Sequence, residues 1–79
     1  MKIPRDLSGR DFIKVLCRDY GYRQVSQEGS HVILATDTPF PQRIAVPDHK
    51  VLRLGTLNGL LRVIAHHKGI DRADLIQSL

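Results

Sequence analysis

The sequence predicts an α+β fold in the order α-β-β-β-α. It is a three-stranded antiparallel sheet with helices packed on one face and a short extra C-terminal helix. Three observations predict it. Apolar stripes at helical spacing lie near both ends of the chain, short β-branched runs bounded by proline lie between them, and a Gly-Ser pair separates the first two of those runs. Two helices on one face of such a sheet bury both stripes in two layers.

The first helix starts at Ser8, an N-cap residue with Asp11 three positions on as a capping-box partner. Phe12, Leu16 and Tyr20 recur at i, i+4 and i+8, with Ile13, Val15 and Cys17 thickening the stripe. Gly21 ends it. The run from Tyr22 to Glu28 is polar and loosely alternating, as in a half-exposed strand. Gly29-Ser30 reads as a tight hairpin turn. His31-Val32-Ile33-Leu34-Ala35 is apolar and β-branched, as in a central strand. Pro39 and Pro41 make 36–42 a loop, and Arg43-Ile44-Ala45-Val46 is a third strand stopped by Pro47.

A connecting loop runs from Asp48 to Leu54. The second helix begins between Leu54 and Thr56 and carries the strongest periodicity in the chain, Leu57, Leu60, Leu61, Ile64 and Ala65. Gly69 closes it. Asp71 is the expected cap of a last short helix, with Ala73, Leu75, Ile76 and Leu79 as packing residues.

A chain of 79 residues is expected to form one domain over 1–79, with one modest core and no second lobe. Hydrophobic residues make up 42% and charged residues 25%, the balance of an ordinary globular domain rather than a disordered one. No apolar stretch approaches the roughly 18 residues that span a membrane. Met1-Lys2-Ile3-Pro4-Arg5-Asp6 has no apolar leader core, so no secretory signal and no membrane partner are expected. The single cysteine, Cys17, has no partner for an internal disulfide, which fits a reducing cytoplasm. It is expected to be a small buried residue of the first helix. A formal charge of +4 favours a polyanionic partner, nucleic acid above all.

His31 is the first candidate for chemistry. An imidazole gives or takes a proton near neutral pH, and cleavage of RNA without a metal needs both a base and an acid. Gly29 leaves room for a bulky substrate, and Ser30 can donate to a phosphate oxygen. From residue type alone, a histidine that merely packs at a strand start is the commoner case. A second cluster, Pro47-Asp48-His49-Lys50, offers a phosphate contact or a second proton carrier; its plain alternative is a solvated loop. His66-His67-Lys68 suits the dipole at a helix C-terminus and needs no further role. Arg10, Lys14 and Arg18 fall four apart on the outer face of the first helix, where they meet either a phosphate backbone or only solvent. No His-x-His, His-Glu-x-x-His or Cys-x-x-Cys spacing is present, so neither a metal site nor a cofactor is expected. Four aromatic residues are too few for a single-strand binder built on stacking.

Several pieces in order resemble the HicA family of bacterial and archaeal toxins, also called YcfA-like mRNA interferases. They are Ser8-Gly9-Arg10, Gly21-Tyr22, Gly29-Ser30-His31-Val32-Ile33-Leu34, Val46-Pro47 followed by His49, Gly55-Thr56-Leu57 and Gly69-Ile70. The resemblance runs from about Leu7 to Ile70. It implies a fold like that of a double-stranded-RNA-binding domain, cleavage of mRNA, His31 as the catalytic histidine and a HicB-type antitoxin that covers the site. This chain departs from the family in two places. Arg53-Leu54 stands where Lys-Pro or Arg-Pro often precedes Gly-Thr-Leu, and Lys50-Val51-Leu52 stands where a Gly-Lys-Glu-type segment often follows the loop histidine.

Three readings follow: a ribonuclease toxin acting through His31, a non-catalytic binder of double-stranded RNA, and a protein-interaction module whose basic face meets an acidic partner. The resemblance favours the first. It assigns catalysis to His31, with Gly29, Ser30, His49, Lys50, Arg10, Lys14 and Arg18 as residues that meet RNA.

Overall fold

The computed structural model describes Pro4 and residues 6–79, so the reading of the first six residues falls largely outside the described ones. The elements are α1 (Gly9–Asp19), β1 (Arg23–Glu28), β2 (His31–Thr36), β3 (Gln42–Pro47), α2 (Leu54–Lys68) and α3 (Arg72–Gln77). The strands form one antiparallel sheet in the order β1-β2-β3. The α-β-β-β-α arrangement with an added terminal helix is therefore the one the periodicities predict.

α1 begins at Ser8, whose Oγ accepts from the Asp11 backbone N–H at 3.0 Å. Such a cap is worth about 1 kcal/mol. Phe12, Ile13 and Leu16 are buried, and Tyr20 packs at the margin of the core. Cys17 is exposed, against expectation. It lies roughly 140° around the helix from Phe12, outside the stripe, because each residue advances about 100°. Partial burial still pushes the pKa of the thiol up, against ionisation.

Glu28 pairs opposite His31 across the Gly29-Ser30 turn, and Gly29 takes a positive φ of 60°. That conformation is easy only for glycine. β1 is exposed along its whole length, as its polar sequence suits, and its register shifts between Gln24 and Ser26. In β2 and β3 the alternation is inward for Val32, Leu34, Ile44 and Val46. Pro47 is the last paired residue of β3, opposite His31, rather than the residue that stops it. β3 is an edge strand, where a missing N–H removes no ladder bond.

Leu57, Leu61, Ile64 and Ala65 of α2 are buried and Leu60 is half-buried. Together with Phe12, Leu16 and the inward strand residues they form one cluster over the sheet. Each large side chain fully buried there contributes about 1.5–3 kcal/mol. In α3, Leu75 and Ile76 are buried and Leu79 packs against the core, whereas Ala73 is exposed. Asp71 holds the N-cap position without a side-chain bond. The helix is tied instead by the Tyr20 hydroxyl, 2.9 Å from Ser78 Oγ. Among the described residues no helix is long and apolar enough to cross a membrane.

The end of α2 does more than carry charge. His67 is buried, its Nε2 is 2.7 Å from the Phe40 carbonyl oxygen, and its ring meets the Phe40 ring edge-on at 4.3 Å. Lys68 Nζ donates to Thr36 Oγ1 at 2.9 Å and to the Thr38 carbonyl at 2.5 Å, and lies 4.7 Å from the Tyr22 ring centre. These contacts bind the proline-containing loop 37–41 to the helix.

Candidate active site

His31 opens β2 directly after the turn, at the end of the sheet. Pro47 lies opposite it, so the chain leaving β3 passes beside His31. Residues 48–53 then cross to the first turn of α2 without regular structure. This path creates a cleft of about 320 Å³ lined by His31, Pro47, His49, Val51, Leu52, Arg53 and Thr56. Its volume lies at the small end of ligand-binding clefts.

One histidine comes from β2 and the other from the loop after β3, and both are exposed. Arg53, also exposed, forms no ion pair among the described residues and stands at the N-cap of α2. The first turn of α2 holds no acidic residue. The partial positive charge of a helix N-terminus therefore adds to that of the guanidinium. No acidic side chain lines the cleft. The arrangement suits a phosphodiester held between two imidazoles and a cation.

The cleft unites only some of the residues expected to act together. His31 and His49 line it. Gly29, Ser30 and Lys50 are exposed nearby but do not line it. A β-carbon at Gly29 would meet nothing within 4 Å, so the positive φ, not crowding, accounts for glycine there. The Ser30 carbonyl accepts the Asp48 N–H at 2.6 Å. On α1, Arg10, Lys14 and Arg18 are exposed on one face as predicted. Two of them are already engaged. Arg10 pairs with Asp48 at 2.6 Å, and Arg18 binds its neighbour Asp19 through two hydrogen bonds, which holds the Asp19 carboxyl below its usual range.

Arg53 and Thr56 are lining residues that the reading from sequence did not single out. The basic residue two positions before Gly55-Thr56-Leu57 was the available signal. A second groove, about 430 Å³, lies at the other end of α2 between Phe40, Gln42, Arg62, Val63, His66 and His67. It is largely apolar and lies apart from the His31–His49 pair.

A family model described as HicA toxin of bacterial toxin-antitoxin matches residues 9–68. The chain belongs to the HicA toxin family. The match spans every element from α1 through α2, including both histidines and Arg53. Membership makes the chain the toxin of a toxin-antitoxin system and implies an antitoxin partner. No curated protein and no solved structure matched the chain.

Proposed function

We propose that this HicA-family toxin is an endoribonuclease, an mRNA interferase, in which His31 and His49 move the two protons of a transesterification. The observation that supports this reading is the shared cleft, where the sheet brings one imidazole and the loop another beside Arg53. RNA carries its own nucleophile. One imidazole removes the proton of a 2′-hydroxyl, and the 2′-oxygen bonds to phosphorus. The bond from phosphorus to the 5′-oxygen breaks, and the other histidine, as imidazolium, protonates the leaving oxygen. The products are a 2′,3′-cyclic phosphate and a 5′-hydroxyl. The step consumes no co-reactant and asks for no metal.

Arg53 stabilises the charge that builds on the non-bridging oxygens, and Thr56 donates to one of them. Ser30 and Lys50, each next in the chain to a histidine of the cleft, meet neighbouring phosphates. The substrate is cytoplasmic mRNA, and a HicB-type antitoxin restrains the toxin by covering the cleft.

The test is induction of the wild-type chain and of His31→Ala in a bacterial host, with growth and mRNA length followed together. Arrest and mRNA loss with the wild type alone are expected. With purified protein, His31→Ala lowers kcat by about 10²–10⁴-fold while the circular dichroism spectrum is kept. His49→Ala removes one limb of a bell-shaped pH–rate profile. A folded His31→Ala that cleaves at the wild-type rate overturns the proposal. Salt-sensitive binding to duplex RNA with no cleavage by either chain identifies a binding module instead.

A further inference from the structure

Four of the seven residues that line the cleft, His49, Val51, Leu52 and Arg53, belong to the irregular segment between β3 and α2. Where that segment sits decides whether His49 and Arg53 face His31. Three backbone hydrogen bonds locate it. Asp48 N–H donates to the Ser30 carbonyl at 2.6 Å, Gly9 N–H to the His49 carbonyl at 2.9 Å, and Leu52 N–H to the Leu7 carbonyl at 2.8 Å. One side-chain bond joins them, from the Arg10 guanidinium to the Asp48 carboxylate at 2.6 Å. The segment is thus held between the His31 turn on one side and the start of α1 on the other.

We propose that Arg10 and Asp48 are positioning residues for the cleavage reaction: their ion pair clamps the loop onto α1 and so presents His49 and Arg53 to His31. The inference rests on the nuclease reading above. It replaces direct contact with RNA as the role of Arg10. The pair also has an electrostatic use. Asp48 adjoins His49, and an unpaired carboxylate there would repel the phosphate that the cleft must accept. Arg10 neutralises it without placing its own guanidinium in the cleft.

The two roles open to Arg10 make opposite predictions. If Arg10 held RNA directly, Asp48→Ala would free its charge, tighten binding and leave kcat unchanged. If the pair positions the loop, Asp48→Ala lowers kcat by about 10- to 100-fold, because a displacement near 1 Å suffices for such a loss. KM changes less than kcat, since Arg53 and Lys50 keep their charges and the freed Arg10 adds one. Arg10→Lys keeps most of the activity. The swapped pair, Arg10→Asp with Asp48→Arg, recovers part of what either single change loses. The pair is partly exposed to solvent, with side-chain exposures of 49% and 26%, so the thermal midpoint moves by a few degrees at most.

The experiment measures kcat and KM on a single-stranded RNA for the wild type, Asp48→Ala, Arg10→Lys and the swap. Amide hydrogen exchange is recorded on the same proteins. Faster exchange at Gly9, Asp48 and Leu52 in Asp48→Ala, reversed in the swap, is expected. Wild-type kcat in Asp48→Ala overturns the proposal. If the wild type itself leaves RNA intact, the nuclease reading fails separately. Exchange then decides the clamp, and unchanged protection at residues 48–52 in Asp48→Ala overturns it.

Discussion

Gly9 lies so close to Pro47 that a β-carbon at residue 9 would overlap the Pro47 carbonyl oxygen. The first turn of α1 and the last residue of β3 therefore meet backbone to backbone, beside the segment that carries His49. Gly9→Ala has to separate them and is expected to cost about 1–3 kcal/mol. Gly59, in the middle of α2, is the internal control. A β-carbon there meets nothing within 4 Å. Gly59→Ala is expected to stabilise by about 0.5–1 kcal/mol through helix propensity. Urea unfolding of both variants checks the pair, and a stabilised Gly9→Ala would contradict the close approach.

Arg53 faces the cleft, whereas Lys14 stands on α1 outside it. Arg53→Gln is expected to weaken RNA binding and to flatten the slope of log K against log salt by about one unit, as loss of one phosphate contact does. Lys14→Gln is expected to change the slope less. Titration of an uncleavable RNA at several salt concentrations measures both.

His67 is 4% exposed and bonds the Phe40 carbonyl. His67→Ala removes that bond and opens a gap under the Phe40 ring. A loss of about 1–3 kcal/mol is expected, with faster amide exchange confined to loop 37–41 and the end of α2. RNA cleavage should persist, because the His31 cleft lies at the other end of α2. Parallel unfolding and cleavage assays separate the two effects.

Burial pushes the Tyr22 phenol up to about 12 from an ordinary value of 10. Its hydroxyl donates to Gln42 Oε1 at 2.6 Å, a bond only the neutral form can give. The folded state holds this proton more tightly than the unfolded one. The stabilisation is fully present below pH 10 and is lost as pH rises through about 12. Stability measured across that alkaline window should therefore fall more steeply in the wild type than in Tyr22→Phe. Equal slopes would refute the assignment.

Local signals made much of this molecule legible. Ser8 and the spacing of Phe12, Leu16 and Tyr20 located α1, Gly29-Ser30 located the hairpin, and the leucine stripe located α2. Each is a short-range preference, set by helical period or turn conformation within a few residues. The motif pieces that resemble HicA toxins are local too, and they pointed to His31 and His49 before their surroundings were known. Cys17 was misread because it sits beside the apolar stripe rather than in it, a difference of one helical step.

The sequence by itself determined the order of elements, the inward faces of both long helices and the family. Only the tertiary structure decided which charged groups are free. Arg10 and Asp48 are 38 residues apart, and His67 and Phe40 are 27 apart. Contacts at such separations follow from how α1, α2 and the sheet pack, and no periodicity encodes them. The same packing brought Arg53 and Thr56 to His31 and His49, because the end of the sheet, the loop after β3 and the start of α2 must close around one core.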